Sequence, residues 1–284
     1  MKVPRFWAKA IKLAESPEGR QYKFACWGWS ESSADEAHQR AEQRATGFAN
    51  RASIGEKLWR YAYSDGVLRE QIMQVLNDDD GNAIATVTRN SYGALVLNAA
   101  QAMFVDVDLP AHASSGGGVL GRLFGKPKPQ LTPGQVALAR IEQWAASNAS
   151  LGVRVYHTRG GLRVLVTNHL FDPAASSTQT ILAAMGCDPL YIKLCRSQQC
   201  FRARLTPKPF RIGVDNPKVR HIASTEAEKN AIATWSADYQ TRSAQFGVCE
   251  LAVQHNRVSA HPSIAPIIAL HDQSCRVGSG LALA

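Results

Sequence analysis

The segment MFVDVDLP, at residues 103–110, places two aspartates on a run of apolar residues. Such apolar residues are typical of a strand, whereas aspartate is depleted in strands. Side chains two positions apart share one face of a strand, so Asp106 and Asp108 point the same way with Cα atoms about 6.5–7 Å apart. A carboxylate on an apolar strand needs water, a charged partner or a metal. Because Leu109 and Pro110 end the run, we expect the pair at a strand end.

Two carboxylates on one face suit Mg²⁺ or Mn²⁺, which prefer oxygen ligands. Such ions neutralise phosphates and activate an attacking oxygen in nucleotidyl transfer. Two other interpretations stay open: solvated aspartates at a sheet rim, and the D-x-D of a glycosyltransferase that holds a metal and a sugar nucleotide. A phosphatase with an aspartate nucleophile is disfavoured, because it needs Thr or Val where this chain has Pro110.

The order of strand and helix patterns predicts an α+β fold, with helices packed on one face of mostly antiparallel sheets. Three hairpins are predicted, over residues 84–98, 153–168 and 190–205. An amphipathic helix is predicted for the first 20 residues, followed by a strand over 22–30. Further helices are predicted over 33–52, within 58–85, from Pro133 onward, over 174–185 and over 223–245. Residues 110–130 are rich in Gly, Ser and Pro and predict a basic surface loop.

Two further segments carry side chains that suit the same chemistry. In YHTRGGLRVLVT, Thr158 and Arg163 flank a tight Gly-Gly turn and could reach a phosphate. An ordinary hairpin with surface arginines is the equal alternative. Asp188, in GCDPLYIKLC, is predicted to lie just before a strand, where it could be a third carboxylate ligand or simply begin a turn.

The densest basic segment is CFRARLTPKPFRIG, at residues 200–213. Arg202 and Arg204 share one face of its predicted strand, and Lys208 follows. This arrangement suits a nucleoside triphosphate or a nucleic-acid backbone. A solvated basic face is the alternative.

The net charge of the 284-residue chain is +9, which favours anionic partners. No run approaches the roughly 20 apolar residues that span a bilayer, and the N-terminus lacks the apolar core of a signal peptide. Six cysteines in a chain of this length do not indicate a disulfide framework. We therefore expect a cytoplasmic protein without a membrane partner.

A zinc site is conceivable in the C-terminal tail, although its spacing matches no standard pattern and buried free cysteines are the simpler expectation. The candidate ligands are Cys249, His255, His271 and Cys275.

These motifs, in this order over residues 92–212, resemble the archaeo-eukaryotic primase superfamily, the primase–polymerases. The first family motif is an apolar strand with D-x-D, matched by Asp106 and Asp108. The second is S-G-x-G-x-H, where this chain has Thr158 in the hydroxyl position and Arg163 where the family has His. Asp188 is the candidate for the third motif, and FRARLTPKP is similar to an arginine-bearing strand that follows it in the family.

The resemblance implies an RRM-like catalytic core over 92–222, completed by an α+β region over 1–91 and followed by a helical or mixed extension over 223–284. It implies a metal-dependent nucleotidyltransferase that acts on nucleoside triphosphates and single-stranded or primed nucleic acid. Arg163 in place of His also favours an inactive nucleic-acid-binding module of the same fold. The implied metal ligands are Asp106, Asp108 and Asp188. The implied phosphate ligands are Thr158, Arg163, Arg202, Arg204 and Lys208.

Overall fold

The computed structural model describes residues 1–56, 67, 69–110 and 131–284. It contains two compact units: an N-terminal unit, Lys2–Ile72, and a C-terminal unit, Met73–Ala284, to which Met1 also belongs. The described strands and helices form a mixed α+β fold with mostly antiparallel pairing, as the sequence predicted. The predicted basic loop at 111–130 and the first part of the predicted helix within 58–85 lie outside the described residues.

The described helices and strands are numbered here in chain order. The strands are β1 (Phe6–Glu15), β2 (Gln21–Ser30), β3 (Gln71–Asn77), β4 (Ala83–Arg89), β5 (Leu95–Ala99), β6 (Ala102–Asp108), β7 (Val153–Thr158), β8 (Gly161–Leu170), β9 (Phe201–Arg204) and β10 (Cys249–His255). The α-helices are α1 (Ala34–Ser53), α2 (Pro133–Ser147), α3 (Ser176–Ala184), α4 (Pro189–Gln198), α5 (Glu226–Ser243) and α6 (Ala265–Cys275). A short 3₁₀ helix spans Pro209–Ile212.

Over residues 2–56, the N-terminal unit is a β-hairpin with one helix packed on it. Strands β1 and β2 pair in antiparallel register from Phe6↔Ser30 to Glu15↔Gln21. Helix α1 begins at the predicted position, because the Ser33 hydroxyl accepts a hydrogen bond from the main-chain N–H of Glu36. A Cβ atom on Gly28 would lie 2.2 Å from the main-chain oxygen of Ala37, so the missing side chain lets the helix approach the strand.

The prediction of a helix in the first 20 residues is wrong, since this segment contains β1. Its Ala, Lys and Leu residues favour a helix locally. The ten-residue pairing with β2 decides the outcome instead, and intrinsic propensity is routinely overridden by such tertiary contacts.

The C-terminal unit contains two four-stranded sheets, with strand orders β10-β7-β8-β6 and β3-β4-β5-β9. Two of the predicted hairpins, β4–β5 and β7–β8, are confirmed. Helix α2 begins with the predicted Thr132 cap, which forms a reciprocal capping box with Gln135. The buried hydrophobic residues of both sheets belong to one continuous core.

Two other predictions in this unit are wrong. Residues 71–77 form strand β3, where the sequence predicted part of a helix. Residues 190–195, predicted as a strand, lie in helix α4, which begins at Pro189, a favoured first helical position. The third predicted hairpin therefore does not exist, and β9 pairs with β5 instead.

The edge strands of the two sheets, β6 and β9, are joined by the hydroxyl group of Tyr191. It accepts a hydrogen bond from the main-chain N–H of Arg202 at 3.0 Å. The carbonyl oxygens of Phe104 and Arg202 lie 3.1 and 2.9 Å from it and accept its hydrogen bond. Burial raises the pKa of Tyr191 well above its usual value, so this hydroxyl stays a neutral donor. Tyr191 thereby satisfies main-chain groups of two edge strands at once.

In the turn between β7 and β8, the two glycines have different surroundings. A Cβ atom on Gly161 would lie 1.9 Å from the main-chain oxygen of Val107 on β6, whereas one on Gly160 would meet only Arg211, at 3.7 Å. We expect Gly161→Ala to lower the free energy of unfolding by about 3 kcal/mol, because β6 must move. Gly160→Ala should change it by less than about 1 kcal/mol. Urea unfolding measures both, and equal stabilities would contradict the close approach.

Candidate functional site

The two aspartates of the D-x-D motif lie at the end of β6, the edge strand of its sheet. Asp106 is half-buried and pairs in register with Arg163 on β8, and Asp108 is exposed and pairs with Gly161. The neighbouring Val107 is buried in the core. Among the described residues, no side chain forms a hydrogen bond or ion pair with either carboxylate.

Asp188 approaches the same strand, but in a different structural setting from the one predicted. Its main-chain N–H donates to the main-chain oxygen of Asp106 at 3.0 Å. Its carboxylate caps α4, accepting hydrogen bonds from the main-chain N–H groups of Leu190 and Tyr191, each at 3.2 Å. The prediction that Asp188 precedes a strand is therefore wrong, because it is the N-cap of a helix. Its proximity to the D-x-D pair follows from the main-chain contact.

The charges of these aspartates act on one another. Although Asp108 is exposed, partial desolvation raises its pKa, and the negative charges of Asp106 and Asp188 raise it further, while Lys208 and Arg204 oppose the shift. A raised carboxyl pKa means that the folded protein disfavours the ionised form. The strand end therefore carries negative charge that a bound cation would relieve.

Three basic side chains surround the same strand end and share a depressed pKa. Burial and the charges of Arg163 and Arg211 together lower the pKa of Arg204 to about 10. Burial and the charges of Arg204 and Arg211 lower the pKa of Lys208. Burial and the charge of Arg159 lower the pKa of Arg211. These cations repel one another, and an anion bound among them would offset the repulsion.

Two of these arginines also have hydrogen-bond donors without acceptors. Arg204 Nε and Arg211 Nη1 are buried and have no hydrogen-bond partner within the described ranges. Buried polar groups are nearly always paired in folded proteins. Together with the depressed pKa values, these unpaired donors indicate positive charge that the described part of the protein does not fully compensate. We call Asp106, Asp108, Asp188, Arg204, Lys208 and Arg211 the β6 site.

The predicted role of Arg163 as a phosphate ligand is contradicted by its burial. Only 3% of its surface is exposed. Its Nη1 donates to the main-chain oxygen of Arg204 at 2.9 Å and lies 3.1 Å from His271 Nε2. Its guanidinium therefore lies in the interior, because its strand faces helix α6 and not solvent.

The remaining predicted ligands have local partners. Thr158 Oγ1 accepts a hydrogen bond from the main-chain N–H of Gly160 at 3.3 Å, within the β7–β8 turn. Arg202 Nη1 donates to Gln198 Oε1 at 3.2 Å. Neither hydrogen bond involves a residue of the β6 site. Conversely, the sequence did not assign Arg211 to the site, although it stands three residues after Lys208 in the same basic segment.

The donor set of the β6 site fits a hard divalent cation, because its available ligands are carboxylate oxygens. Asp106 and Asp108 would hold such an ion, with Asp188 nearby. Within the described residues, the three carboxylates do not meet at one point. By contrast, another group of three potential metal ligands in this part of the chain does converge, with all donor atoms within 4.8 Å of one another: Cys249, His271 and Cys275.

Comparisons with protein-family models, curated proteins and solved structures found no match to this chain. The resemblance to the primase–polymerases thus has no support beyond the motifs of the chain itself. No helix in the described part of the chain is both long and apolar enough to cross a membrane.

The raised pKa of Asp108 predicts a gain in stability when its charge is removed. The pKa of Asp108 is higher in the folded protein than in the unfolded chain. Its contribution to the free energy of unfolding is therefore present at low pH and is lost as the pH rises through the folded-state pKa. We expect Asp108→Asn, without added metal, to melt at a higher temperature than wild type at neutral pH. The difference should shrink as the pH falls below the usual carboxyl range. Because Asp108 is partly solvated, the gain will be small.

Asp79→Asn is the matched control, because Asp79 is exposed in the turn after β3. Its melting temperature should stay close to that of wild type at every pH. A lower melting temperature for Asp108→Asn than for wild type at neutral pH would contradict the electrostatic account of the site.

Proposed function

We propose that this chain is a metal-dependent nucleotidyltransferase similar to the primase–polymerases. Its substrates would be nucleoside triphosphates and a single-stranded or primed nucleic acid, and its metal would be Mg²⁺ or Mn²⁺. The observation that carries the proposal is the β6 site itself, where aspartates of β6 meet basic residues of the segment after β9. A triphosphate–metal complex would pair with both parts of such a site, because the aspartates could bind its cation and the basic residues could bind its phosphates.

The acidic side of the site would hold the metal. Asp106 and Asp108 offer carboxylate oxygens without hydrogen-bond partners among the described residues. Partial burial raises the pKa of Asp108 and the charges of Asp106 and Asp188 raise it further, so a bound cation would favour its ionised form. Bound there, the metal would neutralise the phosphates and lower the pKa of an attacking hydroxyl. Asp188 would act mainly by fixing the start of α4 against β6, since both of its oxygens cap that helix.

The basic side of the site would orient the phosphates. Lys208 carries a compact ammonium, whereas Arg204 and Arg211 have planar guanidinium groups that pair well with phosphate oxygens. The unpartnered donors on the two arginines would gain acceptors when a phosphate binds. Arg163 contributes no phosphate contact because it is buried.

The basic character of the whole chain agrees with a polyanionic template. The net charge is +9, and such an excess favours association with nucleic acid through counterion release. All six cysteines are free thiols, which agrees with a reducing, cytoplasmic compartment.

The melting temperature in the presence of Mn²⁺ and each nucleoside triphosphate tests the proposal. Ligand at about 100 times its Kd stabilises the folded state by about 2.7 kcal/mol, which amounts to several degrees. We expect this shift in wild type and in the control Asp79→Ala, and we expect Asp106→Ala to lose it. Primer extension by the wild type should then depend on the same metal.

Two outcomes would overturn the proposal. A nucleotide shift that persists in Asp106→Ala would remove the aspartates from the site. A shift produced by sugar nucleotides and not by nucleoside triphosphates would favour the glycosyltransferase interpretation of the D-x-D motif.

The second candidate function is an inactive nucleic-acid-binding module of the same fold. The burial of Arg163 favours it, because the side chain that stands in place of the family His is only 3% exposed and is hydrogen-bonded in the interior. This function predicts salt-dependent binding of single-stranded oligonucleotides that survives Asp106→Ala, with no metal-dependent nucleotide shift. Loss of oligonucleotide binding in that variant would contradict it.

A further inference from the structure

Three soft ligand atoms converge in the interior of the C-terminal unit. Cys249 is the first residue of β10, and His271 and Cys275 lie one turn apart on α6. Their donor atoms all lie within 4.8 Å of one another, and Cys249 Sγ is 3.8 Å from His271 Nε2. All three side chains are fully buried. His255, the fourth residue considered from the sequence, lies at the other end of β10 and does not join this cluster.

The imidazole of His271 is oriented so that one nitrogen faces the two sulfur atoms. Its Nδ1 lies 2.9 Å from Asp272 Oδ1. Asp272 in turn accepts hydrogen bonds from the Tyr156 hydroxyl at 2.9 Å and from Arg154 at 2.6 Å. Although burial opposes the shift, the His271 hydrogen bond and the charge of Arg154 lower the pKa of Asp272. An ionised Asp272 fixes the Nδ1–H tautomer, as second-shell carboxylates do for histidines that bind metals.

A guanidinium supplies positive charge at this cluster. Arg163 Nη1 lies 3.1 Å from His271 Nε2 and 3.8 Å from Cys275 Sγ. Burial opposes ionisation of Cys275, yet the hydrogen bond from Cys249 and the charge of Arg163 lower its pKa. That hydrogen bond and burial raise the pKa of Cys249. The guanidinium and the Cys249 sulfur lie within contact distance of the same imidazole nitrogen, and the guanidinium also contacts the Cys275 sulfur.

We propose that Cys249, His271 and Cys275 bind a zinc ion that takes the place of the Arg163 contact at His271 Nε2. Two sulfurs and one imidazole nitrogen are the donors that zinc prefers. Zinc–sulfur and zinc–nitrogen bonds of about 2.3 and 2.0 Å separate tetrahedral ligand atoms by about 3.5 Å, close to the 3.8 Å between Cys249 and His271.

Zinc binding requires two changes in the cluster. Cys249 and Cys275 bind the ion as thiolates, and the protons of both thiols pass to solvent. Arg163 withdraws from His271 while keeping its hydrogen bond to the main-chain oxygen of Arg204. A tetrahedral ion keeps one position for a non-protein ligand, because within the described ranges no fourth His, Cys, Asp or Glu joins the group. This site is separate from the β6 site and does not rest on the proposed function.

The test uses the full-length protein, made without a metal-binding tag and purified without chelators from a zinc-supplemented culture. We expect about one zinc per chain by elemental analysis. After removal of zinc, Co²⁺ should produce visible absorption typical of tetrahedral cobalt and a near-ultraviolet band from sulfur-to-cobalt charge transfer. Added Zn²⁺ should abolish both signals.

Variants identify the ligands. Cys249→Ser and Cys275→Ser should reduce bound zinc at least about tenfold and remove most of the charge-transfer band. Cys195→Ser, a buried cysteine of α4 outside the cluster, should keep both. Folding is checked by far-ultraviolet circular dichroism, and if the first two variants fail to fold, the wild-type cobalt spectrum decides.

Two results would overturn the zinc proposal. One is a folded wild type that contains no zinc and gives no sulfur-to-cobalt band, which would mean that Arg163 is the permanent counter-ion of the cluster. The other is zinc retained in a folded Cys249→Ser/Cys275→Ser double variant, which would place the ion elsewhere.

Discussion

A buried guanidinium organises the C-terminal unit. Arg163 is 3% exposed, and an unpaired buried charge costs several kcal/mol. Its partners come from different elements: the main-chain oxygen of Arg204 on β9 and the ring of His271 on α6. These groups accept hydrogen bonds from the buried guanidinium, so this one side chain links β8 to β9 and α6. Asp106 lies opposite Arg163 in the β6–β8 register, and its charge helps to keep Arg163 protonated against the effect of burial.

The candidate site follows from where two sheet edges meet. The Tyr191 hydroxyl satisfies main-chain groups of β6 and β9, so the strand with the aspartates lies beside the strand that leads to the basic segment. Asp188 strengthens the same junction by capping α4 and donating its N–H to Asp106. The carboxylates and the cations therefore come together through main-chain contacts and not through direct salt bridges. Their charges remain available to a ligand that carries both signs.

Local signals in the sequence predicted much of the fold and part of the site. The Ser33 and Thr132 caps and the turn-forming residues of β4–β5 and β7–β8 act over a few residues, and the corresponding elements were predicted correctly. Residues 6–15 and 190–195 were misassigned because their apolar patterns fit either element and long-range partners decide between them. The burial of Arg163 could not be predicted for a related reason. It depends on His271, which lies 108 positions away in the chain.

Anomalous diffraction at the manganese absorption edge, from crystals grown with Mn²⁺ and a non-hydrolysable nucleoside triphosphate, tests the central claim most directly. The account predicts a manganese peak within coordination distance of both Asp106 and Asp108, with the triphosphate between that ion and the side chains of Lys208 and Arg211. A nucleotide bound elsewhere, or crystals with no manganese at the end of β6, would contradict the assignment of this strand end as a metal–nucleotide site.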